Sequence, residues 1–241
     1  DGCGEAFVGC EGYNRAPQLW GTEVQSSKTE QNTQMPALFD ASYLTVAQLW
    51  TTSTDGTKIP YFLVHKSQTT DTRPSPTLLT AYGGFQASYT PTYAPEIGRL
   101  WLTRGGNYAV ANIRGGGEFG PAWHEAGRKT QRQRIYNDFA AVGQDLVSRG
   151  ITSVKKLGIR GRSNGGLLMG VEFTQHPELW NAVIIGVPLL DMMNYETMAA
   201  GASWEDEYGT VSKPKERAFL KSISPLQNLR AGIHYPEPFI F

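Results

Sequence analysis

The sequence has little cysteine, no excess of charge of either sign and no long hydrophobic run. Its 241 residues contain 22 basic and 22 acidic side chains, so the net charge does not favour a nucleic acid or a membrane surface as a partner. No apolar segment approaches the roughly 20 residues that a membrane-spanning helix needs. The first residues, Asp1 to Glu5, lack the basic and apolar pattern of a signal peptide. We therefore expect a soluble protein with no nucleic-acid and no membrane partner.

The two cysteines, Cys3 and Cys10, lie seven residues apart. They could form a local disulfide, but we expect two free thiols, and so few cysteines leave the compartment open between cytoplasm and periplasm. A hydrophobic content of 40% with 18% charged residues is typical of a globular protein with a large core. The chain begins with aspartate rather than methionine, and we expect its natural start to lie further upstream.

The first 44 residues differ from the rest in their pattern of apolar and polar residues. Residues 6–10 and 18–24 have the character of two strands joined by a turn at residues 14–17, and a polar stretch follows from Gln25 to Gln34. A hairpin with a polar connector cannot form a core by itself. The pattern therefore predicts that residues 1–44 are the tail of another domain, and that the main domain begins at residue 45.

From residue 45 onward, apolar runs alternate with helical stripes. This alternation, after an initial hairpin, predicts an α/β fold with a mostly parallel sheet covered by helices on both faces. The predicted strands lie at residues 48–52, 59–64, 77–81, 108–113, 156–160 and 180–187, and the helical stripes at residues 139–147, 167–175 and 214–221. Residues 235–241 resemble the entry into a further buried strand, so we expect the sequence to be a fragment of a longer catalytic domain.

Residues 161–165 read Gly-Arg-Ser-Asn-Gly, a G-x-S-x-G pattern between a predicted strand and a predicted helix. In that context the glycines allow a sharp strand-to-helix turn that lifts the serine hydroxyl above the sheet. The sequence therefore predicts that Ser163 is a nucleophile, in preference to an ordinary serine in a glycine-rich turn.

A serine nucleophile needs a histidine to accept its proton and an acid to orient that histidine. In α/β-hydrolases both partners follow the serine along the chain, which argues against His65 and His124. His176 falls at the far end of the helix after Ser163, and His234 precedes a strand at the opposite end of the sheet. Asp191 is the best visible acid, but the acid more usually follows the next strand. We expect the acid and the histidine to lie beyond Phe241.

Acyl transfer also needs hydrogen-bond donors for the developing oxyanion. The backbone N–H of Asn164 is one candidate, and the loop Tyr82-Gly83-Gly84-Phe85 after the third strand supplies the other. Its glycines permit close approach of a substrate, and the Tyr82 hydroxyl can donate. A tight turn between apolar neighbours is the alternative interpretation of this loop.

Several separated motifs, in order, resemble the prolyl oligopeptidase family of serine peptidases. They comprise residues 55–60, 82–85, 111–120 and 163–168, Trp204 with 208–209, and residues 224–226. The resemblance implies an α/β-hydrolase catalytic domain attached to a β-propeller, with residues 1–44 as the last propeller strands and the linker. It implies a monomeric intact protein that acts on short peptides, and we expect no cofactor and no metal.

The resemblance also implies roles for individual residues. Ser163 corresponds to the nucleophile, and the Tyr82 hydroxyl and the Asn164 N–H to the oxyanion hole. Four further residues match positions of the substrate pocket, where an aromatic face suits a proline ring. These residues are Phe85, Leu189, Trp204 and Tyr208.

The sequence departs from the family pattern at three places. Arg162 replaces a small glycine before the serine, Pro188-Leu189 replaces a smaller pair in the pocket wall, and residues 205–207 add three carboxylates beside Trp204. Cleavage after proline is the favoured interpretation, and the added charge makes cleavage after Arg or Lys the main alternative. An acylaminoacyl-peptidase, an esterase and a noncatalytic α/β-hydrolase-like binding protein are the others.

Overall fold

The computed structural model describes residues 4–23, 25–67 and 73–241. The strands are β1 Glu5–Gly12, β2 Arg15–Glu23, β3 Thr29–Gln34, β4 Leu44–Thr52, β5 Lys58–Lys66, β6 Thr77–Thr80, β7 Asn107–Ala111, β8 Leu157–Arg162, β9 Ala182–Gly186 and β10 Glu237–Ile240. The helices are α1 Pro95–Leu100, α2 Pro121–Glu125, α3 Gln133–Ser148, α4 Asn164–Gln175, α5 Glu205–Tyr208, α6 Pro214–Ile223 and α7 Pro225–Asn228. Within the described ranges, none of these helices has the length and apolar character to span a membrane.

Seven strands form the main sheet in the order β10-β9-β8-β6-β7-β5-β4. The five strands from β10 to β7 are parallel, whereas β5 and β4 form an antiparallel hairpin at one side. The larger core lies between one face of this sheet and the helices α3 and α4, and α1 covers part of the other face. This arrangement confirms the predicted α/β-hydrolase fold. Parallel strands need crossover connections, and here the connecting helices bury the apolar faces of the strands.

The first part of the chain forms a separate antiparallel sheet of three strands, β1-β2-β3. The predicted hairpin is present as β1 and β2. The interpretation of residues 25–34 as a polar connector was wrong, because this stretch contains β3, whose six residues are all exposed. β3 is stabilised by pairing with β2 and not by burial of one face. Its sequence therefore lacks the apolar and polar alternation by which a half-buried strand is predicted. The turn between β1 and β2 is also tighter than predicted, since Gly12 pairs directly with Arg15. The assignment of this sheet to a propeller stays a prediction.

Tyr13, in the turn after β1, joins the two sheets. Its ring packs against Phe62 of β5 and Tyr108 of β7, with centroids 5.8 and 6.1 Å away. The neighbouring Asn14 amide donates to the carbonyl of Leu44 at 3.3 Å. The small sheet is therefore tied to the main sheet by a buried aromatic contact at one corner.

The predictions for residues 235–241 and for the two cysteines can also be compared with the structure. The run 235–241 does form a strand parallel to β9, but the expectation that it is buried was wrong: β10 is the outermost of the described strands in this sheet and all four of its residues are exposed, with Phe239 64% accessible. The Cys10 sulfur is free and accepts from the Arg15 guanidinium at 3.4 Å. Cys3 lies outside the described residues, so the prediction about its pairing is untested.

Candidate active site

Ser163 occupies the sharp turn between β8 and α4. Its backbone adopts φ 57° and ψ −121°, a left-handed conformation that is strained for a residue with a Cβ atom. The Ser163 N–H donates to the Gly186 carbonyl at the end of β9 at 3.0 Å, and the Ser163 carbonyl accepts from the N–H groups of Gly166 and Leu167. These bonds secure the turn on both sides.

The glycines of this turn leave no space for a side chain. A Cβ atom on Gly161 would lie 2.1 Å from the Gly165 carbonyl oxygen, and one on Gly166 would lie 2.8 Å from that of Gly186. The chain can therefore bring α4 down onto the sheet only with glycine at these positions. The Ser163 side chain is left exposed above the strand ends.

The loop after β6 lies beside this turn. Gly83, Phe85 and Gln86 all have positive φ, at 65°, 56° and 55°. The Tyr82 ring stacks on that of Tyr89 at 5.8 Å, and its hydroxyl forms no hydrogen bond within residues 4–23, 25–67 and 73–241. The hydroxyl is therefore available to a bound molecule, as the oxyanion assignment requires.

A second glycine-rich loop, residues 114–117, supports the loop after β6 from behind. Gln86 donates its N–H to the Gly115 carbonyl at 3.2 Å, and the Gly117 N–H donates to the Ala87 carbonyl at 3.3 Å. A Cβ atom on Gly115 would lie 2.6 Å from the Gly83 carbonyl oxygen. The consecutive glycines thus allow two backbones to touch.

Arg114 fixes that supporting loop. Its guanidinium is buried and donates to both carboxylate oxygens of Asp138 in α3, at 2.9 and 2.7 Å, and to Asp55 in the β4–β5 turn at 2.5 Å. Burial raises the pKa of Asp138, whereas the Arg114 hydrogen bond lowers that of Asp55. Sequence reasoning placed Arg114 and Asp55 within family motifs but gave them no role.

Asn164 contributes more than its backbone. The first N–H groups of a helix lack an intrahelical acceptor, so the Asn164 N–H is free to donate to a ligand. Its side chain is 1% exposed, and Nδ2 donates to the Tyr82 carbonyl at 2.7 Å. Its Oδ1 accepts from the Tyr208 hydroxyl at 2.9 Å and from Arg132 Nη2 at 2.7 Å. The amide therefore links the nucleophile turn to the loop after β6.

Arg132 and Glu207 form a buried ion pair next to this amide. Arg132 Nη1 lies 2.8 Å from Glu207 Oε1, and both side chains are almost fully inaccessible. Glu207 also accepts from the Phe85 N–H at 3.0 Å and pairs with His124 Nε2 at 2.6 Å. Sequence reasoning attached no site role to Arg132 or His124.

The predicted substrate pocket has an aromatic wall. Phe85 is 37% exposed and meets the buried Tyr208 ring edge-on, with centroids 5.6 Å apart. Trp204 and Leu189 are half-buried against the main core. Tyr208 is 1% exposed and its hydroxyl donates to Asn164, so it supports the Phe85 ring rather than presenting a surface of its own.

The three carboxylates at residues 205–207 do not form a free acidic patch. Asp206 pairs with Arg128 at 2.6 Å and with Lys129 at 3.4 Å, and Glu207 is neutralised by its buried partners. Within the described part of the chain, only Glu205 of the three forms no ion pair. The expected negative charge beside Trp204 is thus mostly compensated.

The candidate base and acid residues lie apart from Ser163 or have other partners. His124 contacts Glu207, His176 lies 3.7 Å from Glu178, and His234 is exposed. Asp191 accepts hydrogen bonds from the side-chain amides of Asn194 and Gln227 at 2.7 and 2.9 Å, and these bonds lower its pKa. Across the described ranges, no histidine or carboxylate binds the Ser163 hydroxyl.

The described residues also contain no group of three or more His, Cys, Asp or Glu side chains that could hold a metal ion. The site therefore consists of a serine turn, two loops rich in backbone donors, and an aromatic wall. An arrangement of this kind suits a nucleophilic serine beside hydrogen-bond donors for an anion.

Comparison with known proteins gives one consistent family. Residues 97–241 match the model of the prolyl oligopeptidase family. An uncharacterized peptidase of Sinorhizobium fredii is 55% identical, over 98% of this chain and 32% of the relative. A prolyl endopeptidase of Elizabethkingia miricola is 39% identical, over 98% of this chain and 34% of the relative. The structure of a post-proline cleaving enzyme from Rickettsia typhi superposes with a TM-score of 0.90 at 41% identity, over 97% of this chain and 34% of that one. This chain thus spans about a third of the length of the curated relatives that it matches.

Proposed function

The chain belongs to the prolyl oligopeptidase family, and from this premise we propose that it supplies the nucleophile, the oxyanion donors and the substrate pocket of a serine endopeptidase. The substrates are short peptides that are cleaved on the carboxyl side of proline. The backbone of Ser163 carries the proposal, because a strained, exposed serine at a strand-to-helix turn is the hallmark of a nucleophile.

In the proposed reaction, Ser163 Oγ attacks the carbonyl carbon of the scissile bond and gives its proton to a histidine. The carbonyl oxygen becomes an oxyanion, which accepts from the Asn164 N–H and the Tyr82 hydroxyl. The intermediate then collapses: the C–N bond breaks, the histidine protonates the amine, and the acyl group stays on Ser163. Water hydrolyses this ester in a second round. The histidine and its acid are predicted to lie beyond Phe241.

Specificity for proline is supported by the pocket residues. Phe85 presents an exposed aromatic face that is held by Tyr208, and a flat pyrrolidine ring without an N–H suits such a surface. The relatives named for proline cleavage agree with this choice. Cleavage after Arg or Lys loses support, since Asp206 and Glu207 already have cationic partners.

The nucleophile is tested with a fluorophosphonate probe on the intact protein. We expect covalent labelling at Ser163, and Ser163→Ala should abolish it. Ser222→Ala is the control, because Ser222 is exposed on α6 and its hydroxyl only caps a local carbonyl. Labelling that survives Ser163→Ala would refute the assignment.

Specificity is tested separately with peptides that carry Pro, Arg or Ala before the scissile bond. We expect the highest kcat/KM for proline. A preference for Arg would support the alternative oligopeptidase. Hydrolysis of simple esters without cleavage of any of the three peptides would indicate an esterase, and neither labelling nor hydrolysis would indicate a noncatalytic binding protein.

A further inference from the structure

Arg132 is a buried cation at the centre of the site, although its residue type would suggest a surface position. It precedes α3 and is 1% exposed. Its guanidinium carbon lies 4.7 Å from the centroid of the Tyr208 ring, within cation–π range. A buried arginine needs compensating partners. The hydrogen bonds from its two terminal nitrogens all go to the candidate active site, whereas Nε has no partner in the described part of the chain.

These partners lie on three segments that are distant in sequence. Nη2 donates to Asn164 Oδ1 at 2.7 Å, on the nucleophile turn, and to the Gly83 carbonyl at 3.4 Å, in the loop after β6. Nη1 donates to Glu207 Oε1 at 2.8 Å, in α5 beside the pocket. One planar group therefore bridges the nucleophile turn, the loop after β6 and α5.

Glu207 extends the bridge to the aromatic wall. The oxygen that pairs with Arg132 also accepts the Phe85 N–H at 3.0 Å. Phe85 has positive φ, a conformation that its own side chain disfavours, so this bond helps to hold the ring in place. The second oxygen of Glu207 is occupied by His124. Both oxygens of the carboxylate thus have fixed partners.

We propose that Arg132 is the positioning residue of this site, holding the oxyanion donors in register with Ser163 through Asn164 and Gly83, and that Glu207 holds the Phe85 wall of the pocket. This inference rests on the proposed peptidase function. Arg132 is buried and its side-chain bonds go to Asn164, Gly83 and Glu207 rather than to Ser163, so it acts through these partners.

The two residues should act on different kinetic constants. Lysine at position 132 would keep a cation beside Glu207, but its single ammonium lacks the planar fork that reaches Asn164, Gly83 and Glu207 together. The pocket would then persist while the oxyanion donors lose alignment. Glutamine at position 207 would keep the size of the side chain but weaken the bond to Phe85 and remove the partner charge of Arg132.

The experiment compares Arg132→Lys, Glu207→Gln and Arg149→Gln in the intact protein. Arg149 lies just after the other end of α3 in an exposed pair with Asp145 and serves as the matched control. The wild type is first shown to label at Ser163 and to cleave a proline peptide, so failure of the proposed function is seen before any variant is made. Melting temperature, kcat and KM are then measured for proline and alanine peptides.

We expect Arg132→Lys to lower kcat about 10²-fold, the scale of a small misplacement of reacting groups, with KM within threefold of the wild type. Glu207→Gln should raise KM for the proline peptide and reduce the preference for proline over alanine. Arg149→Gln should match the wild type in both constants.

A folded Arg132→Lys variant with wild-type kcat would overturn the positioning role. If that variant does not fold, Glu207→Gln decides, because it also removes the partner charge of Arg132. Reduced proline preference together with a lower kcat supports the proposal, and wild-type kcat with unchanged preference overturns it.

Discussion

The Ser163 backbone has a positive φ, a conformation that residues with a Cβ atom rarely adopt. A residue with a Cβ atom in this region costs about 1 to 3 kcal/mol, and here the cost is offset by bonds to Gly186, Gly166 and Leu167. The benefit is an exposed hydroxyl at the start of α4, next to the free Asn164 N–H. Strain and exposure together at one residue agree with the proposed nucleophile role of Ser163.

Tyr82 can be tested at the same scale. Tyr82→Phe removes the proposed oxyanion donor and leaves the ring stacked on Tyr89, so we expect kcat in the intact enzyme to fall by roughly 10² to 10³ with KM little changed. Steady-state kinetics on a proline peptide measure this. Tyr89→Phe, which alters the other ring of the stacked pair, should leave kcat unchanged. An unaltered kcat for Tyr82→Phe would assign Tyr82 to packing.

Glu172 predicts a pH dependence of stability. It is fully buried in α4, and neither carboxylate oxygen has a hydrogen-bond partner in the described part of the chain. Burial, with repulsion from Glu178, raises its pKa well above the ordinary value. The folded state therefore holds a proton that the unfolded state releases. This contribution is complete below the ordinary carboxyl pKa and is lost as the pH rises through the folded-state pKa, by up to about 1.4 kcal/mol per pH unit.

Glu172→Gln removes this dependence. We expect the variant to gain stability over the wild type as the pH rises from 5 to 9, measured by urea unfolding at each pH. Glu178→Gln, at an exposed position outside the core, should show a much smaller change. Parallel stability curves for the wild type and Glu172→Gln would contradict the prediction.

At the level of elements, the candidate active site lies where loops follow parallel strands. The turn after β8, the loop after β6 and the loop after β7 meet at the carboxyl ends of their strands. In open α/β sheets this edge is where ligands bind. Glycine in each segment lets backbones come within contact distance, and Arg114 and Arg132 hold the loops from below.

The requirement for glycine in the turn after β8 can be tested with two substitutions in that strand. Gly161→Ala places a Cβ atom 2.1 Å from a carbonyl oxygen, so we expect loss of Ser163 labelling and a lower melting temperature. Gly158→Ala is the matched control in β8, because its nearest neighbour would be 3.7 Å away, an ordinary contact. Equal behaviour of the two variants would show that the turn does not require glycine at position 161.

For the whole molecule, the contact of Tyr13 with the main sheet couples the two sheets. Its hydroxyl is buried without a partner in the described part of the chain, so the ring rather than the hydroxyl stabilises the contact. Tyr13→Phe should therefore leave stability unchanged or raise it. Tyr13→Ala should lower the free energy of unfolding by about 3 to 5 kcal/mol and speed amide exchange in β1 to β3. Denaturation and hydrogen exchange measure both effects, and unchanged exchange in Tyr13→Ala would mean that the small sheet is held by other contacts.

Local patterns predicted the parts of this protein whose constraints are local. The strand and helix alternation, the serine turn and the glycines beside Tyr82 each follow from burial or steric limits within a few residues. The exposed strand β3 was missed, because pairing with β2 left no apolar alternation in its sequence. The acidic run beside Trp204 was interpreted as free charge, because its cationic partners lie far away in the chain.

The sequence by itself therefore determined the α/β-hydrolase fold and the position of Ser163, since both depend on periodicity and on the size of neighbouring side chains. Only the tertiary structure decided which charges are buried and what they hold. Arg132 and Glu207 are 75 residues apart, and His124 and Glu207 are 83 apart. In sequence they are indistinguishable from solvated surface residues, because the cost of burying a charge is offset only by partners that folding brings together.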